Sequence, residues 1–552
     1  MNEAWWKRAV VYQIYPKSFQ DTTGNGIGDL QGIIKRLDYL QTLGIDVIWL
    51  TPVYQSPQKD NGYDISDYFS IDPTYGTMED FEELLSEAHK RNIKLIMDLV
   101  INHTSTEHNW FKQAAKSKEN SYRDFYIWKD PVNGGPPNNW QSKFGGPAWQ
   151  YDETTNQYYL HLFDVTQADL NWENKELREK IYKMIQFWAE KGIDGFRLDV
   201  INLVSKNQDF PNDSVGDGRK FYTDGPRIHE YLHEMHQEVL GPYNMMTVGE
   251  MSSTTLDNCI LYTKPERQEL DMTFQFHHLK VDYPNGEKWT IAPFDFLQLK
   301  EILSKWQVGM YEGGGWNALF WCNHDQPRAV SRFGDDHEYR VTSAKMLATT
   351  LHMMQGTPYI YQGEEIGMTN PGFSSIRQYR DVESHNAYNL LKEEGKSEQE
   401  IMAILQQKSR DNARTPMQWS SAPNAGFTSG KPWIPIADNH KNVNQEEALE
   451  DKDSVFYHYQ RLIELRKKYD IITYGDFQIL KPSDPDLFAY TRKWNGKTLL
   501  VINNFYKKEV DWEIELYTGK NVEILLSNYE DSLQKPDRIR LRPYESIVYY
   551  IK

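Results

Sequence analysis

Short, nearly continuous apolar runs alternate with amphipathic stretches through most of the chain. VVYQIYP (10–16), VIWLTPV (47–53), LIMDLVINH (95–103), GFRLDV (195–200), MMTVGEM (245–251), MTFQFHH (272–278), ALFWCNHD (318–325) and PYIYQGEEIG (358–367) read as strands covered on both faces. Between them lie helical patterns. EDFEELLSEAHKR sets Phe81, Leu84, Leu85 and Ala88 on one apolar face, and KELREKIYKMIQFWAEKG (175–192) reads the same way before stopping at Gly192. Parallel strands separated by helices, in this number, predict a (β/α)8 TIM barrel more than an open sheet. Several runs end in polar residues (MDLVINH, GFRLDV, TVGEM, CNHD), and such ends form the catalytic face of a barrel.

The alternation breaks twice. Residues 104–173 contain DPVNGGPPNNW and little helical period, which predicts an irregular loop domain after the third strand. From residue 477 the pattern turns to alternation with turns: KWNGKTLLVINNF carries an Asn-Gly hairpin signal and RLRPYESIVYYIK reads as a last strand. The expected organisation is a barrel over 1–103 and 174–476, the loop domain between, and a C-terminal antiparallel β domain over 477–552.

Charge and composition narrow the partners. A net charge of -18 argues against nucleic acid and anionic membranes. No run of 18 apolar residues suggests a membrane span, and the N-terminus has no apolar signal-peptide core. Cys259 and Cys322 give neither a disulfide framework nor a metal spacing, which fits a reducing, cytoplasmic setting. No organic cofactor is expected. Seventeen Trp and 35 Tyr suit surfaces that stack on sugars, although ordinary core use explains them equally well.

The strand ends carry the chemistry. Arg197 and Asp199 stand two apart on one strand, so both side chains point the same way. The guanidinium is expected to lower the Asp199 pKa and keep it ionised, as a nucleophile requires. Glu250 closes MMTVGE, where apolar surroundings favour the protonated form, and Asp325 closes FWCNHD beside His324. One ionised and one protonated carboxyl are the equipment for glycoside cleavage. A purely structural cluster is the alternative, but unpaired buried acids are expensive.

DLVINH (98–103), GFRLDV (195–200), TVGE (247–250) and WCNHDQ (321–326) resemble, in order, the motifs of the α-amylase family of retaining α-glycosidases. The resemblance covers essentially the whole chain. QADLNWEN (167–174) and RDNARTPMQW (410–419) resemble its oligo-1,6-glucosidase-like branch, in which a proline commonly stands where this chain has Ala168. The resemblance implies Asp199 as nucleophile, Glu250 as general acid/base and Asp325 as the residue that binds sugar hydroxyls. It also implies that Arg197 orients Asp199, that Asp98 supports that strand end, and that His103 and His324 hydrogen-bond the sugar. Asp60 with Arg410 would hold the non-reducing end, Tyr63 would stack on the ring, and Phe163 and Gln167 would contact substrate. A retaining reaction requires the Asp199 and Glu250 carboxyls about 5–5.5 Å apart.

DTTGNGIGD (21–29) aligns Asp21, Thr23, Asn25, Ile27 and Asp29 with the first five alternating positions of a calcium loop, without the final bidentate glutamate. The resemblance agrees on a structural Ca2+ site. The alternative is a turn held by its own side chains.

HHLKVDYPNGEKW (277–289) gathers His277, Lys280 and Lys288 in the loop after the sixth strand. GDGRKFYTDGPR (216–227), after the fourth, adds Arg219, Lys220 and Arg227. In this fold both loops border the leaving-group side. Cations there imply an anionic substrate such as a sugar phosphate. Its phosphate belongs on the leaving sugar, because two like charges about 4 Å apart repel by roughly 4 kcal/mol at an effective dielectric near 20. Together with the resemblance this implies trehalose 6-phosphate, split to glucose and glucose 6-phosphate. A neutral oligo-1,6-glucosidase, with these lysines on a solvated face, is the main alternative. A catalytically inert transporter-associated module is disfavoured by the intact triad.

Overall fold

The computed structural model describes residues 4–513, 521–532 and 538–552. Eight strands, β1 (Val11–Ile14), β2 (Val47–Leu50), β3 (Lys94–Leu99), β4 (Gly195–Leu198), β5 (Met246–Glu250), β6 (Met272–Phe274), β7 (Ala318–Leu319) and β8 (Thr357–Tyr361), form one sheet. Each pairs in parallel with its sequence neighbours except across one gap, where Thr273 bridges Asn317 in parallel and closes the ring. β1 pairs with β8 on one side and β2 on the other, so the sheet is a barrel. Its strands are buried from end to end or nearly so, which is why they read as continuous apolar runs.

The predicted helices pack as their faces require. α1 (Met78–Lys90) buries Phe81, Leu84, Leu85 and Ala88, and Thr77 with Asp80 forms its capping box. α2 (Lys175–Lys191) is capped by Asn174 and ends at Gly192, whose φ of 98° is the left-handed conformation that glycine adopts without strain.

The excursion after β3 is less irregular than its sequence suggests. Trp128–Lys129, Trp149–Asp152 and Gln157–Leu160 make a small antiparallel sheet. These strands are too short for alternation to show. His103–Ser105 pairs antiparallel with Gln167–Asp169, so the excursion leaves and returns at one place beside the barrel mouth. Its Trp140, Trp149 and Leu162 share a cluster with Phe210 and Tyr222, which docks it on the loop following β4.

The C-terminal sheet is antiparallel and five-stranded. Trp494 pairs with Lys497 around Asn495 and Gly496, both at positive φ (48° and 76°), which is the hairpin that the Asn-Gly pair predicts.

Candidate active site

Strand register brings the central charges together. Arg197 on β4 lies opposite Asp98 on β3, and β5 ends at Glu250 on its other side. One guanidinium nitrogen of Arg197 donates to Asp98 (2.7 Å) and Asp199 (2.6 Å), and the other reaches Glu250 (2.7 Å). Arg197 is 1 % exposed, so this pairing is made away from water. One cation cannot neutralise three carboxylates, and the cluster favours holding protons.

Burial raises the Glu250 pKa to about 8, reinforced by the charges of Asp199 and Asp325 and opposed by Arg197. Asp199 departs from expectation. Burial and the charge of Asp98 outweigh Arg197 and raise it to about 7, where lowering was predicted. Asp199 nonetheless loses its proton before Glu250, so an ionised Asp199 coexists with a protonated Glu250. Asp325 is different again. Burial alone would raise it, but His324, Arg410 and Arg414 hold it far below the usual carboxylate range. Arg414 lies 2.6 Å away and Arg410 3.3 Å.

Asp199, Glu250 and Asp325 open on one cavity of about 260 Å³. Asp60, Tyr63, His103, Phe163, Gln167 and Arg410 line the same space. At its closed end Arg410 pairs with Asp60 (3.1 Å), which also accepts from the Gln167 amide (3.1 Å). The Tyr63 hydroxyl donates to Asp98 (3.0 Å), and one face of its ring lies 5.1 Å from His324, nearly parallel. His103 and His324 are neutral at pH 7, because burial lowers them to about 4 and 3. His324 is fully buried and receives a bond from Gln13 on Nδ1, while its Nε2 has no hydrogen-bond partner among the described residues and lies 3.4 Å from Asp325.

Val200, directly after Asp199, sits at φ 37° and ψ 39°, a left-handed conformation costly for a β-branched residue. The turn aims its N–H at the Glu250 carboxyl (3.1 Å). Backbone strain thus joins the two carboxylate positions.

The basic residues sort unequally. Lys220 pairs with Asp213 and Arg227 with Glu173 and Glu230, so both are engaged with carboxylates of their surroundings. Lys288 does line the cavity, but its ammonium is held by Glu383 at 2.7 Å. His277 is turned away: its Nε2 meets the Thr254 carbonyl (2.7 Å), its ring packs on Trp306, and burial lowers its pKa. For Lys220, Arg227 and Lys288 the cause is shared, since an acidic chain supplies nearby counter-ions that a linear motif does not show, whereas His277 is taken by a backbone carbonyl. Arg219 is half satisfied by Asp217 (2.9 Å). Lys280 is exposed and has no carboxylate partner among the described residues.

Sequence reasoning missed Lys143, Phe144, Ser252 and Glu383, which also line the cavity. Lys143 and Phe144 come from the glycine-rich part of the excursion, where no periodicity locates a side chain.

The 21–29 loop lies against residues 424–433. Asp21 accepts from the N–H groups of Thr23, Gly24 and Gly26 and from the Thr23 and Thr428 hydroxyls. Asp29 caps the helix starting at Leu30 through Gly32 N–H and holds Thr22. Asn25 accepts from Ile27 N–H. Among the described residues no group of three or more His, Cys, Asp or Glu side chains could hold a metal ion.

Comparison with known proteins agrees with this geometry. The "Alpha amylase, catalytic domain" family matches residues 13–475, and the "Alpha-amylase SusG C-terminal domain" family matches 487–548. The chain is 66 % identical over 549 residues to a trehalose-6-phosphate hydrolase of Bacillus subtilis (strain 168), covering 99 % of this chain and 98 % of that protein. It is 54 % identical over 559 residues to an oligo-1,6-glucosidase of Bacillus cereus, covering all of both. The crystal structure of a Bacillus licheniformis trehalose-6-phosphate hydrolase superposes with a TM-score of 0.96 at 65 % identity, again over the full length of both. With the family match spanning barrel and site alike, the chain belongs to the α-amylase family of glycoside hydrolases.

Proposed function

We propose that the protein hydrolyses trehalose 6-phosphate to glucose and glucose 6-phosphate, with retention at the anomeric carbon. The observation that carries the reading is a glycosidase carboxylate set with a cation beside its cavity: Lys280, which acts electrostatically on the cavity-lining Lys143 and has no carboxylate partner among the described residues. The 66 % identity to the Bacillus subtilis trehalose-6-phosphate hydrolase supports the same substrate.

The mechanism follows from the proton inventory. The unphosphorylated glucose enters the closed end, where Asp60 and Arg410 meet its outer hydroxyls. Asp325, ionised at any working pH, accepts from ring hydroxyls and offsets the positive charge that develops at the anomeric carbon. Asp199 attacks that carbon while protonated Glu250 gives its proton to the bridging oxygen, and glucose 6-phosphate departs. Glu250, now ionised, takes a proton from water, the water displaces Asp199, and glucose leaves. Arg197 holds both carboxyls in place and steadies whichever is charged. This route needs the two carboxyls about 5–5.5 Å apart, with no room for water on the opposite face.

No organic cofactor enters these steps. For the 21–29 loop, the hydrogen bonds already filling Asp21 and Asp29 favour a turn held by its own side chains over a calcium site. No described helix is long and apolar enough to cross a membrane. A phosphorylated disaccharide as substrate and two free, buried cysteines fit work in the cytoplasm.

A neutral oligo-1,6-glucosidase is the second reading, favoured by 54 % identity to the Bacillus cereus enzyme. Glucose release from equal concentrations of trehalose 6-phosphate, trehalose and isomaltose separates the two. A strong preference for the phosphorylated sugar is expected, and preference for isomaltose would overturn the assignment.

A further inference from the structure

Among the basic side chains around the cavity mouth, most are answered by a carboxylate. Lys220, Arg227, Lys288 and Arg219 all have one within 3 Å. Two do not among the described residues: Lys280, and Lys143 from the excursion after β3. Lys143 Nζ donates to the Ser252 hydroxyl at 3.0 Å and lies 5.5 Å from the Tyr222 ring.

We propose that Lys143 is a specificity-determining residue that binds the substrate's phosphate together with Lys280 and Arg219. The inference rests on the reading of the substrate given above and names a ligand that the linear motifs omit.

Three observations place Lys143 there. Its loop is fixed rather than free: Lys143 N–H bonds the Leu162 carbonyl (2.8 Å) and the Ser142 hydroxyl bonds the Phe163 carbonyl (2.6 Å). Lys143 lines both the inner cavity and a wider cleft of about 510 Å³.

Its partner Ser252 lies two residues beyond Glu250. Asn202 clamps Ser252 by exchanging two bonds with its backbone (2.9 and 3.0 Å). Lys143 therefore borders the side on which the general acid meets the leaving oxygen. A sugar phosphate departing from that oxygen carries its anion toward this ammonium.

The cations there also repel one another. Burial, then Arg219 and Lys280, bring the Lys143 pKa down to about 7, against the opposing pull of Asp217 and Glu250. A phosphate dianion relieves that repulsion and draws a proton onto Lys143. A neutral disaccharide does neither. The Ser252 hydroxyl is a weak partner that the ammonium exchanges for phosphate oxygens.

The test compares kcat/KM for trehalose 6-phosphate with kcat/KM for trehalose in wild type, Lys143→Met and Lys143→Arg. Taking the ratio cancels any loss of folding or chemistry common to both substrates. The ratio is expected to fall at least ~10-fold in Lys143→Met, mainly through KM, and to survive in Lys143→Arg, as for loss of a hydrogen bond to a charged group. Inhibition by glucose 6-phosphate should weaken by a similar factor. In wild type the ratio should also fall between pH 7 and 9 as Lys143 deprotonates, whereas Lys143→Arg, always charged, should hold it.

If wild type prefers the phosphorylated sugar and Lys143→Met keeps that preference, the inference is wrong and the substrate reading stands. If wild type shows no preference, the substrate reading fails and takes this inference with it.

Discussion

Asp199 and Glu250 are held by opposite nitrogens of one guanidinium, that of Arg197, at 2.6 and 2.7 Å. The arrangement fixes two carboxyls close together without neutralising both, so one keeps a proton. Arg197 itself is fixed by Asp98, whose other oxygen accepts from Trp49 and Tyr63. The pair's position is thus set by strand register and by the Asp98, Trp49 and Tyr63 side chains that fix Arg197.

Asp199→Asn tests the nucleophile. The amide keeps the volume but cannot form the covalent glycosyl intermediate. Turnover should fall by at least ~10⁴-fold, as for other removed nucleophiles, with the fold preserved by circular dichroism. Near-normal turnover would remove Asp199 from the mechanism.

The pH profile follows from the order of proton loss. The proposed mechanism requires Asp199 ionised and Glu250 protonated, with their pKa values raised to about 7 and about 8. On a neutral substrate, kcat/KM should peak between these values, falling on the acid side as Asp199 gains a proton and on the alkaline side as Glu250 loses one. A plateau from pH 5 to 10 would contradict the assignment.

Glu250→Gln should trade activity for stability in a pH-dependent way. Folding raises the Glu250 pKa from 4.5 to about 8, so the folded state binds this proton more tightly than the unfolded chain. The contribution is full below pH 4.5 and is lost as pH rises through 8. Glutamine stays neutral throughout. The melting temperature of Glu250→Gln relative to wild type should therefore climb between pH 5 and 9, read by thermal scans across that range.

Chelation tests the 21–29 loop. Since N–H and O–H donors fill Asp21 and Asp29, removing divalent cations should leave the melting temperature unchanged. A calcium-dependent rise of several degrees would mean that these carboxylates turn outward to bind the ion.

The sequence by itself determined the barrel and the identity of its central carboxylates. Parallel strands covered on both faces must be apolar along their length, so β1 to β8 stand out against the helices between them. Their C-terminal ends share one mouth, which makes Asp199, Glu250 and Asp325 legible as a group. The phosphate side was another matter. Lys220 and Lys288 look alike in a linear motif, but Asp213 and Glu383 reach them only through space. His277 is consumed by a backbone carbonyl, and Lys143 arrives from a loop with no periodicity to place it. The sign of the Asp199 shift likewise depended on Asp98 and on burial, neither visible from a neighbouring arginine two residues away. Charge compensation is a property of distances between separate strands and loops, and those distances exist only once the chain has folded.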